Sequence, residues 1–240
     1  FFKVPAPGMS SAQPALRASR CSAAAERCEV GDAPSELLAV LVELLEEGGE
    51  IEGSDTSNRW IIDPLDGTSN FLHGLPHFSI SIALERDGEP VAGVIYEPIT
   101  DQMFWAEKGQ GAYLNGRRIR VSARRRLEES LFATGIPFAG KQDHDRFLSQ
   151  LKAVMAVSAG VRRFGSAALD LAYVAAGRYE GFWEIGLHPW DIAAGIVLVR
   201  EAGGFVTDIG GGGMMESGEI LAANDSLHGP LLKILAGRSA

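Results

Sequence analysis

The chain has 240 residues, enough to bury a sizeable core as one large domain or two small ones. Hydrophobic residues make up 46% and charged residues 22%, an ordinary globular balance, and the longest apolar run, 192–199, is far below the ~20 residues that span a bilayer. A net charge of −9 argues against a nucleic-acid surface, which needs a basic face to displace counterions.

Two cysteines, Cys21 and Cys28, make no disulfide framework, so a reducing, cytoplasmic setting is expected. The start shows no basic region leading into an apolar block, as a signal peptide would. Residues 1–36 are rich in Pro, Ser, Ala and Arg without a sustained period, and are expected to be poorly ordered and apart from a domain over 37–240. From Glu36 the stripe Leu37, Leu38, Val40, Leu41, Leu44 and Leu45 predicts a helix that stops at Gly48-Gly49.

An acidic loop then leads to Trp60-Ile61-Ile62, read as a short buried strand that Pro64 and Gly67 turn at once. Strict alternation over 78–84 predicts a half-buried strand, Asp87-Gly88 a hairpin turn, and 91–96 the returning strand. Short strands follow at 103–106 and 112–114, with Asn115-Gly116 as a further turn, so 37–135 reads as a mainly antiparallel α+β half. The stretch 117–126 carries six arginines and reads as a solvated edge and turn.

In 136–240 the rhythm changes. Helices are predicted near 147–154 and at 166–176, 190–201 and 226–235, with strands at 160–164, 179–184 and 204–207, which is a layered α/β half. Gly210–Gly213 reads as an exposed glycine loop, not a phosphate cradle, because no helix follows it closely.

The chemistry concentrates in Asp63-Pro64-Leu65-Asp66-Gly67-Thr68. Two carboxylates three positions apart on a turn, beside exposed backbone N–H groups, can hold a hard cation and an anion together; a plain Asp-rich turn is the competing reading. Glu46 with Glu47 and Asp191 are further candidate ligands, although Asp191, following Pro189-Trp190, also suits a helix N-terminus. Carboxylates from three separated segments suit Mg²⁺, which takes oxygen ligands, and no Cys or His cluster offers a softer alternative. There is no Gly-x-Ser-x-Gly elbow, Walker loop or dinucleotide fingerprint.

Asp63-Pro-Leu-Asp-Gly-Thr-Ser-Asn-Phe71 and Trp190-Asp-Ile-Ala-Ala-Gly195 resemble the two signature motifs of the inositol monophosphatase family. The resemblance runs from about Glu46 to the C-terminus and includes Phe71-Leu-His-Gly-Leu-Pro-His-Phe78, Gly93-Val-Ile-Tyr-Glu-Pro98 and Gly165-Ser-Ala-Ala-Leu-Asp-Leu171. The segment from Phe182 to Asp191 points to the bacterial-type inositol-1-phosphatase branch.

The resemblance implies a layered α/β/α/β/α sandwich and a cytoplasmic, lithium-sensitive homodimer. Its activity would be Mg²⁺-dependent hydrolysis of a polyol or sugar phosphate, most simply myo-inositol 1-phosphate, by metal-activated water. It implies roles for Glu46 and Asp63 as metal ligands, with the Leu65 carbonyl completing the first site. Asp66 and Asp191 would hold a second ion. Gly67 and Thr68 N–H groups would receive phosphate oxygens, and the Thr68 hydroxyl would orient the attacking water, so Thr68, Glu46 and Asp63 form the expected catalytic set. Substrate would lie against Asp66, Gly67, Thr68, Gly165, Ser166, Ala167, Glu184 and Asp191. A sugar bisphosphatase, a broad phosphatase and a catalytically impaired binding or regulatory homologue are the alternatives.

One family feature has no counterpart. The segment Gly-Asp-x-Val-Thr/Ser-x-x-Asp, whose last Asp helps activate the water, is absent ahead of Glu46, where the stretch 22–27 carries Glu26. Gly8–Gln13, back-translated and shifted by one base, can read Asp-Val-Val-Ser-Ala-Ala, so an atypical or frameshifted N-terminus is expected.

Overall fold

Strand β1 (Asn58–Asp66) opens the ordered body in the computed structural model, which describes residues 57–137 and 143–237. The expectations on 1–36, the 36–47 stripe, Glu46 and Glu47 lie outside those residues. β1 is longer than its sequence suggests: it runs through Pro64, and the chain turns only at Gly67, whose φ of 89° suits a residue without a Cβ. Proline is tolerated because β1 is an edge strand paired only with β2 (Ser79–Arg86), and the pairing shifts register between Asp63 and Asp66. That irregularity re-aims the two aspartates.

β3 (Glu89–Glu97), β4 (Gln102–Glu107), β5 (Gly111–Leu114) and β6 (Arg117–Ile119) complete a six-stranded antiparallel meander in chain order. Both predicted hairpins form, and Asp87 with Gly88 and Asn115 with Gly116 all have positive φ, as primed turns require. In β2 the buried positions are Ser79, Ser81, Ala83 and Glu85, while Ile80, Ile82 and Leu84 are half-buried. Small residues line the inner face because a helix packs closely there.

The second sheet is mixed, in the order β10 (Phe205–Thr207), β11 (Ile220–Ala223), β9 (Gly181–Glu184), β7 (Leu131–Thr134), β8 (Gly160–Arg162). β7 runs parallel to β8 and β9, and the other pairs are antiparallel. The basic stretch 117–126 is only partly a solvated edge: Arg124 Nη1 reaches the buried Glu180 at 2.8 Å, and Glu180 also accepts from the Leu131 N–H at 2.7 Å.

The helices are α1 (Thr68–Leu72), α2 (His144–Met155), α3 (Ala167–Ala175), α4 (Pro189–Glu201), α5 (Met214–Ser217) and α6 (Asp225–Leu235). α3 and α4 lie between the sheets, where Leu169, Leu171, Ile192, Ile196 and Leu198 join Ile61, Ile95, Phe104 and Phe182 in one core. Residues 192–199 of α4 are all buried, as befits a helix apolar on every side. α2 and α6 cover the outer face of the second sheet through Val154, Leu231 and Leu235 against Phe132, Trp183 and Leu221. The result is an α+β sandwich of sheet, helices, sheet and helices; the outer helical layer expected beyond the first sheet falls outside the described residues.

Candidate active site

Asp63 and Asp66 leave the end of β1, and Asp191 sits in the first turn of α4. One carboxylate oxygen from each lies within 4.8 Å of the other two. The elements orient each group. Asp63 Oδ1 accepts from the Leu65 N–H at 3.0 Å, and Asp191 Oδ2 accepts from the His188 N–H at 2.7 Å, capping α4 as its position suggests. The start of α4 is tied to the first sheet, since Ser81 Oγ donates to the Trp190 carbonyl at 3.3 Å.

Asp66 is held by two donors. It is 8% exposed, and its Oδ2 accepts from Ser166 Oγ at 2.5 Å and from the Ala168 N–H at 2.9 Å. Burial pushes its carboxyl well above the usual carboxylate range, with repulsion from Asp63 and Asp191 adding to the rise and the two donors opposing it. Three converging carboxylates repel one another, and a hard divalent cation is what such an all-oxygen set accommodates. Mg²⁺ fits these residues.

Thr68 is exposed and opens α1 beyond the left-handed Gly67; its hydroxyl donates to the Leu65 carbonyl at 2.8 Å. The hydroxyl hydrogen is thereby committed, which leaves the oxygen as an acceptor toward solvent. Gly67 needs its missing side chain: a Cβ there would stand 3.1 Å from the His77 carbonyl and 3.3 Å from that of Gly165.

The Gly165–Ala167 segment comes up beside this turn. Gly165 is half-buried, whereas Ser166 and Ala167 are buried, with the Ser166 hydroxyl given to Asp66. Glu184, at the end of β9, is half-buried with its carboxylate against Gly135, where a Cβ would collide with it. Glu46 lies outside the described residues.

Two residues near the site escape a reading by residue type. Asn70, buried in α1, binds backbone on both sides of the turn. Asp170 is 1% exposed, and its Oδ1 has no hydrogen-bond partner among the described residues. Burial, then the nearby Glu184 and Asp66 charges, push its carboxyl well above the usual range. Both stand within motif segments, but only the contacts separate them from their neighbours.

Three carboxylates beside a Gly-Thr turn in a two-sheet sandwich make an arrangement suited to a divalent cation, and the comparisons with known proteins give the class as a phosphatase. The profile of the Inositol monophosphatase family matches residues 25–239, and the chain belongs to that family. It is 56% identical over 191 residues to "Inositol-1-monophosphatase" of Mesorhizobium japonicum, covering 79% of this chain and 72% of that one. It is 52% identical over 182 residues to "Nus factor SuhB" of Escherichia coli, covering 75% and 68%. Among solved structures, the extragenic suppressor protein suhB from Bartonella henselae superimposes with a TM-score of 0.76 at 52% identity, over 84% of this chain and 82% of that one. The chain is a phosphoric monoester hydrolase.

Proposed function

We propose that the chain hydrolyses myo-inositol 1-phosphate to inositol and phosphate in a Mg²⁺-dependent reaction. The observation that carries this reading is the meeting of Asp63, Asp66 and Asp191 beside the Gly67–Thr68 turn. In it Asp63, the Leu65 carbonyl and Glu46 would hold one ion, and Asp66 with Asp191 would hold a second. Bound divalent cations supply charge neutralisation of the ester phosphate and a lowered pKa for water at the site.

The chain's own groups do the remaining work. Gly67 and Thr68 N–H groups receive phosphate oxygens, and Thr68 Oγ1, its hydrogen committed to Leu65, accepts from the water that attacks in line. Gly165, Glu184 and the backbone at Ser166 and Ala167 face the polyol hydroxyls. Phosphate monoester hydrolysis is among the slowest uncatalysed reactions, with enhancements up to ~10²¹, so concentrating charge complementarity at one point is physically apt.

Phosphate release from myo-inositol 1-phosphate, fructose 1,6-bisphosphate and a nucleotide monophosphate, each with and without Mg²⁺, tests the substrate. Preference for the bisphosphate overturns the inositol reading in favour of a sugar bisphosphatase. Inhibition by lithium, a homodimeric state and a cytoplasmic setting belong to the same proposal. A second reading, a non-catalytic binding or regulatory role, draws on the relative named "Nus factor SuhB". The net charge of −9 opposes a direct nucleic-acid contact. Metal binding without turnover would favour this second reading.

A further inference from the structure

Asn70 stands where three segments of the site converge. It is 5% exposed, and its Nδ2 donates to the His77 carbonyl at 2.7 Å and to the Phe164 carbonyl at 2.7 Å. Both neighbours are acceptors, so the amide nitrogen must face them; a flipped amide would set oxygen against two carbonyl oxygens. Both amide hydrogens are used.

The two carbonyls are not arbitrary. His77 O is the atom that a Cβ on Gly67 would meet at 3.1 Å, so this segment walls the proposed phosphate turn. Phe164 O precedes the left-handed Gly165 (φ 88°) and Ser166, and a Cβ on Gly165 would lie 3.3 Å from Asn70 Nδ2. Ser166 then caps α3 and donates to Asp66, and Ala168 donates to the same oxygen. A continuous chain of contacts therefore runs from α1, through Asn70 and the 164–166 backbone, back to Asp66. It ties partners 94 and 100 residues apart.

We propose that Asn70 is a positioning residue for the metal carboxylate and the substrate wall. Its amide holds the 164–166 segment where Ser166 and Ala168 grip Asp66, and keeps that segment against the Gly67–Thr68 turn. A buried amide that merely satisfies two carbonyls would contribute stability alone. The two roles differ in what its loss does to a folded molecule. This proposal rests on the reading of the acidic site given above.

The test compares the wild-type chain, Asn70→Ala, Ser166→Ala and the double variant. Mg²⁺ affinity is measured by calorimetry without substrate, kcat and KM on myo-inositol 1-phosphate, and the folded fraction at the assay temperature by near-UV circular dichroism. Loss of an outer partner of a metal ligand weakens metal binding or activity by about 10- to 100-fold; Ser166→Ala removes such a partner, and Asn70→Ala, one contact further out, should reach the lower end of that range per folded molecule. Because Asn70 acts on Asp66 through the segment that carries both Ser166 and Ala168, the double variant should lose clearly less than the product of the two single losses.

Unchanged Mg²⁺ affinity and kcat in folded Asn70→Ala, or losses that multiply in the double variant, overturn the proposal. If Asn70→Ala does not fold, Asn70→Ser carries the same test with one donor retained; failure of both to fold assigns the amide to stability and also overturns it. A wild-type chain that binds no Mg²⁺ overturns the reading of the acidic site and this proposal with it. Mg²⁺ binding by the wild type that Asn70→Ala leaves unaltered overturns only the role of Asn70.

Discussion

Gly93 of β3 and Ala194 of α4 touch backbone to backbone: a Cβ on Gly93 would lie 2.7 Å from both the Ala194 Cα and its carbonyl oxygen. The contact lets α4 lie flat on the first sheet, and α4 carries Asp191 to the carboxylates of β1. Gly93→Ala should therefore do two things. Overpacking costs about 1–3 kcal/mol of stability, read as a lowered Tm, and the displaced helix weakens Mg²⁺ binding measured by calorimetry. A lowered Tm with unaltered Mg²⁺ affinity would show that the seating of α4 does not set the site.

The acidic cluster should be a source of instability when no cation is present. Asp63, Asp66 and Asp191 repel one another within 4.8 Å, so Asp63→Asn relieves part of that repulsion. In EDTA its Tm should equal or exceed that of the wild type, and the stabilisation that Mg²⁺ gives the wild type should vanish. Thermal melts with and without Mg²⁺ check both halves. A destabilised Asp63→Asn in EDTA would mean that the carboxylate serves the fold instead.

Histidine burial gives a pH dependence of defined sign. Burial pushes His228 below the ordinary value of 6.5, as it does His77, and His228 Nε2 lies 3.0 Å from Thr207 Oγ1. The unfolded chain binds the His228 proton more readily than the folded one. This contribution to stability is therefore present above 6.5 and lost as the pH falls through the lower folded value. Between about pH 7.5 and about pH 5.5, His228→Gln should lose less stability than the wild type in denaturant melts. Comparing the two chains cancels the buried carboxyls, whose raised values act in the opposite direction. Equal losses would contradict the assignment.

The elements legible in the sequence were those with a period or a turn. The alternation in β2 and the turn-forming pairs Asp87-Gly88 and Asn115-Gly116 announce the meander, and both pairs take the positive φ such turns require. β7 (Leu-Phe-Ala-Thr) and β11 (Ile-Leu-Ala-Ala) do not announce themselves. Strands of four residues buried almost throughout, as β11 is at every position and β7 at all but Leu131, carry no alternation. β1 misleads for a different reason, since Pro64 reads as a stop unless the strand is known to lie at an edge.

The site divides similarly. Asp63, Asp66 and Asp191 stand out as carboxylates in unusual contexts, and the fold brings them together. Ser166 does not stand out as the group that holds Asp66, because that link spans 100 residues and depends on how α3 enters the sandwich. Asn70 is legible as a motif letter, but its two backbone partners are set by tertiary structure alone.

On the proposed reading, phosphate ester hydrolysis depends on divalent cations held by Asp63, Asp66 and Asp191. The most direct test of that reading is phosphate release from myo-inositol 1-phosphate across a Mg²⁺ titration, for the wild-type chain and Asp191→Asn. The wild type should show turnover that rises and saturates with Mg²⁺. Asp191→Asn should fall by about 100-fold or more with its circular dichroism unaltered. Near-normal turnover by folded Asp191→Asn, or wild-type turnover indifferent to Mg²⁺, would contradict the account.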